Sequence, residues 1–292
     1  MRWEDYRQSD NFEDRRGGGG GGGGFRIPGG RGGGLGIGGL ILVGVLALVF
    51  GVDPRIIMGG MEMAGGPSTQ TSAPPSRGRE GPSTDQSARF VRSTLAMAED
   101  VWAPIFQQSG RRYQAPTLVL YDGRGTNTAC GFGQPAMGPF YCPGDRRIYL
   151  DTSFFDDLAR RFGAPGDFAA AYVIAHEVGH HVQNSLGLLQ ASQEARARTS
   201  QTEANRISVG TELQADCFAG VFAFHARDRL RVLQEGDIEE GMKAASAVGD
   251  DTIQRRSQGR VVPDSFTHGS SAQRVAAFKR GLERGRPGDC QT

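Results

Sequence analysis

His176, Glu177, Val178, Gly179 and His180 spell HEVGH, an instance of the pattern H-E-x-x-H. On a helix, residues four apart share one face with about 5 to 6 Å between their β-carbons, so two imidazoles at that spacing can grip one metal ion. Zinc is the natural occupant, as a single catalytic ion. Glu177 is turned about 100° around the same helix. It stays clear of the ion but can reach a water beside it and take its proton. If the two histidines were ordinary core residues, Glu177 would sit among Tyr172, Val173, Ile174 and Val178. A lone carboxylate in such surroundings is strongly disfavoured. The pattern therefore points to metal-assisted hydrolysis.

A zinc ion that activates water commonly has three protein ligands and one open position. No histidine supplies the third here. His181 to Leu186 lead to Gly187 without an H-x-x-G-x-x-H continuation, which argues against the metzincin pattern. The acidic candidates lie in TELQAD, where Glu212 and Asp216 are four apart on a predicted helix and can face the site together. Glu212 is expected to bind the metal. Asp216 is expected to accept the free ring N–H of a ligand histidine and so fix its tautomer. The flanking Leu213, Ala215, Cys217 and Phe218 make this helix too apolar to be fully solvated.

The elements that must position these residues follow from periodicity. Asp167 is expected to cap a helix over FAAAYVIAHEVGHHVQNSL, which ends at Gly187. Leu213, Cys217, Val221 and Phe224 stripe another. Earlier, Val91, Leu95, Ala98, Trp102 and Ile105 recur at helical spacing and predict a long helix, bent or ended near Pro104. TLVLY, after Pro116, and RRIYLD read as two short strands of a small sheet. Between them Cys130 and Cys142 bracket GFGQPAMGPFY, whose glycines and prolines make a turn that can bring the two sulfurs together as a disulfide. For Cys217, a bridge to Cys290 and a free, buried thiol both remain open. Further helices are expected near 237–248 and 271–282, and residues 83–292 have the size of one domain.

Upstream, residues 1–34 are rich in glycine and arginine and read as a solvated tail. Glu4, Asp5, Asp10, Glu13 and Asp14 nearly balance the arginines, and the net charge of +1 gives no push toward nucleic acid. Residues 35–52, LGIGGLILVGVLALVFGV, carry no charge. At 1.5 Å per residue they are just long enough for a bilayer core of about 30 Å, so a single transmembrane helix acting as an uncleaved signal-anchor is expected. Arg26 and Arg31 precede it while Asp53, Arg55 and Glu62 follow with no positive excess, which predicts a cytoplasmic N-terminus and an exported, extracytoplasmic domain. All four cysteines lie after the span, in keeping with export. Residues 53–82 read as a disordered linker.

HEVGH followed on a later helix by E-x-x-A-D resembles the gluzincin arrangement. MRWEDYRQSDNFEDRRG, AHEVGHHVQ, ELQADCFAG and DSFTHGSSAQR, spread over nearly the whole chain, are similar to the bacterial neutral zinc metallopeptidases of the YpfJ-like family. The resemblance implies one zinc ion, a membrane anchor and an α+β fold: a mostly helical, zincin-like domain with a small β-sheet, preceded by one transmembrane helix. It implies a peptide or protein as substrate. DSFTHGSSAQR is also similar to a Thr-His-Pro segment of HtpX-type enzymes. On that likeness His268 is expected to hydrogen-bond the oxyanion of the reaction, and Arg274 to pair with an active-site carboxylate or with substrate. A turn histidine beside a structural arginine is the competing reading. The function expected is a membrane-anchored zinc metallopeptidase. Its rival is a peptidase-like zinc module that binds a partner at the membrane with little turnover, for which the polar stretch from Gln190 to Arg206 would be a recognition surface or a lid.

Overall fold

In the computed structural model, which describes residues 1–17 and 85–291, Asp85 caps the first helix by accepting from the Ala88 amide at 3.1 Å. This helix, α1 (Gln86–Gln108), buries Val91, Leu95, Ala98 and Trp102. It does not end at Pro104. The Asp100 carbonyl, to which a proline cannot donate, accepts instead from Arg229 Nη2 at 2.5 Å.

β2 (Thr117–Tyr121) and β6 (Arg147–Asp151) pair in parallel, with Leu118 opposite Ile148 and Leu120 opposite Leu150. Alternate side chains leave on opposite faces. Leu118, Leu120, Ile148 and Leu150 enter the main core, while Val119, Tyr121 and Tyr149 form a smaller cluster with Cys142. A β3–β4 hairpin (Thr126–Thr128 and Gly131–Gly133) follows β2, and β5 (Phe140–Cys142) then pairs antiparallel with β6. Cys130 and Cys142 are joined by a disulfide of 2.06 Å, which ties the hairpin to β5.

The opposite edge of the sheet is filled by β1 (Phe12–Asp14), parallel to β2, giving the order β1-β2-β6-β5. Residues 1–17 are therefore part of the domain and not a solvated tail. Met1 and Trp3 are buried, the Met1 ammonium lies 2.9 Å from Asp237, and Trp3 Nε1 donates to Asp167 at 2.9 Å. Arg16 meets Asp85 at 2.5 Å, so the two described segments approach each other there.

The transmembrane helix expected at 35–52 and the linker expected at 53–82 lie outside the described residues. Among the described residues no helix is long and apolar enough to cross a membrane. A single crossing at 35–52 would also put residues 1–17 and 85–291 on opposite sides of a bilayer, yet they share one sheet and one core. The expected membrane anchor, the cytoplasmic N-terminus with an exported domain, and the membrane as a partner are corrected on both grounds. What the structure has is an α+β fold with eight helices and two small sheets among the described residues.

The remaining helices are α2 (Ser153–Arg160), α3 (Asp167–Ser185), α4 (Leu188–Arg196), α5 (Gln201–Asp228), α6 (Asp237–Ala247), α7 (Asp250–Gln258) and α8 (Ser271–Arg284). α3 runs through the core. Asp167 is its first helical residue and does not cap it. Glu240 of α6 serves the helix start instead, accepting from the Phe168 amide at 3.1 Å. α5 and α8 touch backbone to backbone. A β-carbon on Gly281 would overlap the Cys217 carbonyl, and one on Gly220 would overlap the Phe278 carbonyl. Cys217 and Cys290 form a second disulfide, which fastens the end of the chain to α5.

Candidate metal centre

α3 and α5 cross where Gly179 faces Ala215. A β-carbon on Gly179 would lie 3.0 Å from the Ala215 carbonyl oxygen, so only glycine permits this approach without displacing α5. The crossing sets Glu212 against both histidines of HEVGH. Glu212 Oε2 is 3.2 Å from His176 Nε2, and Oε1 is 3.5 Å from His180 Nε2. One ligand atom from each of the three residues lies within 4.8 Å of the others.

Each histidine is held from behind. His176 Nδ1 is 2.8 Å from Asp216 Oδ1, so the ring donates there and leaves Nε2 as a lone-pair donor for a metal. Asp216 is itself fully buried and gripped by Arg274, whose Nε and Nη2 donate to its two oxygens at 2.8 and 2.9 Å. Tyr172 donates to Asp216 Oδ1 at 2.5 Å. His180 Nδ1 donates to Gln183 Oε1 at 2.8 Å, and the Gln183 amide is anchored on the Thr211 carbonyl and Gln214.

The charges favour a cation. Burial pushes the Asp216 carboxyl up, but Arg274 and His176 outweigh it and hold it down at about 2. Burial likewise opposes the Glu212 carboxylate, and the two histidines keep it well below the usual carboxylate range. Against burial, Asp216 and Glu212 lift His176 to about 10. Positive charge is thus favoured among these carboxylates, and a divalent ion would supply it. Two imidazoles and one carboxylate, with a side left open to a cavity, are the donor set of a zinc ion that works on water. The residues fit the ion.

Glu177 lines that cavity of about 440 Å³ together with His176, His180, Glu212 and His268. Burial raises its carboxyl above the usual range, against the pull of the two histidines. His268 comes from the turn before α8. Asp250 holds this turn by accepting from the amides of Thr267, His268 and Gly269 at 2.8, 2.7 and 3.0 Å, and its other oxygen lies 3.3 Å from His268 Nδ1. The segment 135–141, which the Cys130–Cys142 disulfide closes, forms another wall.

The structure thus brings His176, His180 and Glu212 to one point, puts Asp216 behind His176 and Arg274 behind Asp216, and places Glu177 and His268 on the same cavity. Sequence reasoning missed Tyr172, Gln183 and Asp250. The first two carried a signal: Tyr172 precedes His176 by four residues and Gln183 follows His180 by three, all on one helical face.

Fold and site together define a zinc metallopeptidase domain. The family described as "Putative neutral zinc metallopeptidase" matches the chain over residues 1–292, and the chain belongs to that family. It is 48% identical over 296 residues to the protein YpfJ of Escherichia coli K12, an alignment covering 100% of this chain and 98% of the relative. It is 42% identical over 218 residues to a protein of Mycobacterium tuberculosis H37Rv, covering 70% of this chain and 71% of that one. A Mycobacterium bovis protein matches to the same extent. No solved structure matches.

Proposed function

We propose that the domain hydrolyses peptide bonds, with Glu177 as the general base and later the general acid. The observation that carries this reading is the placement of Glu177: a buried carboxyl with a raised proton affinity, on the cavity wall beside the predicted ligands. A closed structural zinc site has no use for such a group. When bound by His176, His180 and Glu212, the zinc ion supplies polarisation of the scissile carbonyl and acidification of a water. Glu177 takes the proton of the attacking water and passes it to the departing nitrogen, and its raised proton affinity suits it to both transfers.

Asp216 keeps the His176 ring in the tautomer that presents Nε2, and Arg274 keeps Asp216 ionised and fixed. Arg274 is committed to that carboxylate by two hydrogen bonds, so its role is positioning rather than substrate binding. His268, oriented through Nδ1 by Asp250, turns its other nitrogen to the charge that develops on the carbonyl oxygen.

The test is incubation of the zinc-loaded full chain with a diverse peptide library, with and without chelator. Cleavage that disappears with the metal is expected. A zinc-loaded protein that cuts no peptide in the library would overturn the proposal in favour of a binding module.

A further inference from the structure

A second cavity, of about 500 Å³, opens at the end of α3, one turn beyond His180 and His181. It is lined by Arg111 and Arg112, from the segment between α1 and β2, by Arg146 from the β5–β6 turn, and by Asn184 and Ser185. Among the described residues no ion pair joins any of the three arginines to a carboxylate. The Arg146 side chain hydrogen-bonds neutral groups, Nη1 to Gln114 Oε1 at 3.1 Å and Nη2 to Ser185 Oγ at 3.5 Å. Neighbouring Asp145 is occupied elsewhere, with the amides of Ala129 and Arg147 and the hydroxyl of Tyr149.

Two further features single out the place. Arg146 has φ 58°, one of only two positive values at non-glycine residues among the described residues. A residue with a long side chain pays for that conformation, and here it turns the guanidinium into the cavity wall. The cavity also collects three positive charges in a chain whose net charge is only +1.

We propose that Arg111, Arg112 and Arg146 form a binding site for a phosphoryl-type oxyanion. One guanidinium already saturates a carboxylate in a bidentate pair. Three exposed guanidiniums around one cavity, none of them in an ion pair among the described residues, match an anion of higher charge and more oxygens. Asn184 and Ser185 add neutral polar groups at the rim. The site is separate from the metal cavity, and its ligand would brace the segment 111–114, whose Gln114 carbonyl receives His181 Nε2 at 2.6 Å.

Calorimetric titration of the zinc-loaded full chain with inorganic phosphate, against acetate at equal ionic strength, tests the proposal. Saturable binding of one phosphate is expected, with acetate roughly tenfold weaker or more. Arg146→Asn, which suits the positive φ, and the double variant Arg111→Gln/Arg112→Gln should each weaken phosphate by about tenfold or more while remaining folded by circular dichroism. Phosphate binding that survives in both variants but vanishes with chelator would belong to the zinc ion and overturn the proposal. So would acetate binding as well as phosphate. If the arginines only offset the partial negative charge at the end of α3, the variants will lose thermal stability and the wild type will bind no phosphate, which also overturns it.

Discussion

Arg274 of α8 and Asp216 of α5 meet in a two-pronged ion pair with both side chains buried, and the same carboxylate holds His176. The metal ligand is therefore positioned by a residue 98 positions away along the chain. Asp216→Ala should leave Arg274 buried without its partner and cost about 3 to 5 kcal/mol. It should also weaken zinc roughly 10- to 100-fold. Replacing Arg274 by Met in the same protein should recover part of the stability and none of the zinc affinity. Urea unfolding and competition with a chelating dye measure the two quantities. Recovery of both together would mean that Asp216 acts only through folding.

That ion pair depends on the close crossing of α5 and α8. Gly281→Ala would drive a methyl group into the Cys217 carbonyl. Because the obstacle is backbone, the helices must separate, and a loss of about 1 to 3 kcal/mol or more is expected from denaturant unfolding. An alanine variant as stable as wild type would show that the crossing is looser than described.

His181 gives the fold an acid sensitivity of its own. Burial pulls its pKa down to about 4, although the hydrogen bond to Gln114 opposes this. Its unfolded value is about 6.5, so its neutral form contributes full stability above that pH. As pH falls from 6.5 toward 4, the unfolded chain takes up a proton that the folded one refuses, and about 3 kcal/mol is lost. His181→Gln should flatten the fall in stability across that window, measured by urea unfolding of metal-free protein at several pH values. An unchanged slope would assign the acid sensitivity to other groups.

The contact between Arg16 and Asp85 brings residues 17 and 85 within reach of a short bridge. Replacing 18–84 by about six glycine and serine residues should preserve cooperative unfolding and one zinc per chain, since loop length changes closure entropy only slowly. Removing residues 1–17 as well should lower the melting temperature clearly, because it withdraws Trp3 and β1. Equal melting of the two shortened proteins would contradict the place given to the N-terminal strand.

How much of this is legible in the sequence depends on how local the signal is. HEVGH declares itself because its spacing matches one helical turn. Glu212 and Asp216 stand out because two carboxylates, four apart, sit among the apolar Leu213, Ala215, Cys217 and Phe218. Asp250 gives no such sign: its partners are the amides of a turn 17 to 19 residues away, and amides carry no sequence identity. Residues 1–17 mislead for a related reason. Their charges suggest solvent, yet Trp3 packs edge-on against Phe90 and the three residues of β1 pair with a strand over 100 positions on. A three-residue strand is too short for any periodicity to show. The apolar run at 35–52 satisfies the length rule for a span, but that rule ignores the contacts that hold both flanks in one domain.

The role of Glu177 is the central claim, and Glu177→Gln tests it most directly. The variant keeps the shape of the side chain and leaves His176, His180 and Glu212 untouched. It should retain one zinc ion per chain by elemental analysis, while zinc-dependent peptide cleavage falls by about 10²-fold or more. Cleavage at the wild-type rate by a zinc-loaded Glu177→Gln protein would contradict the account.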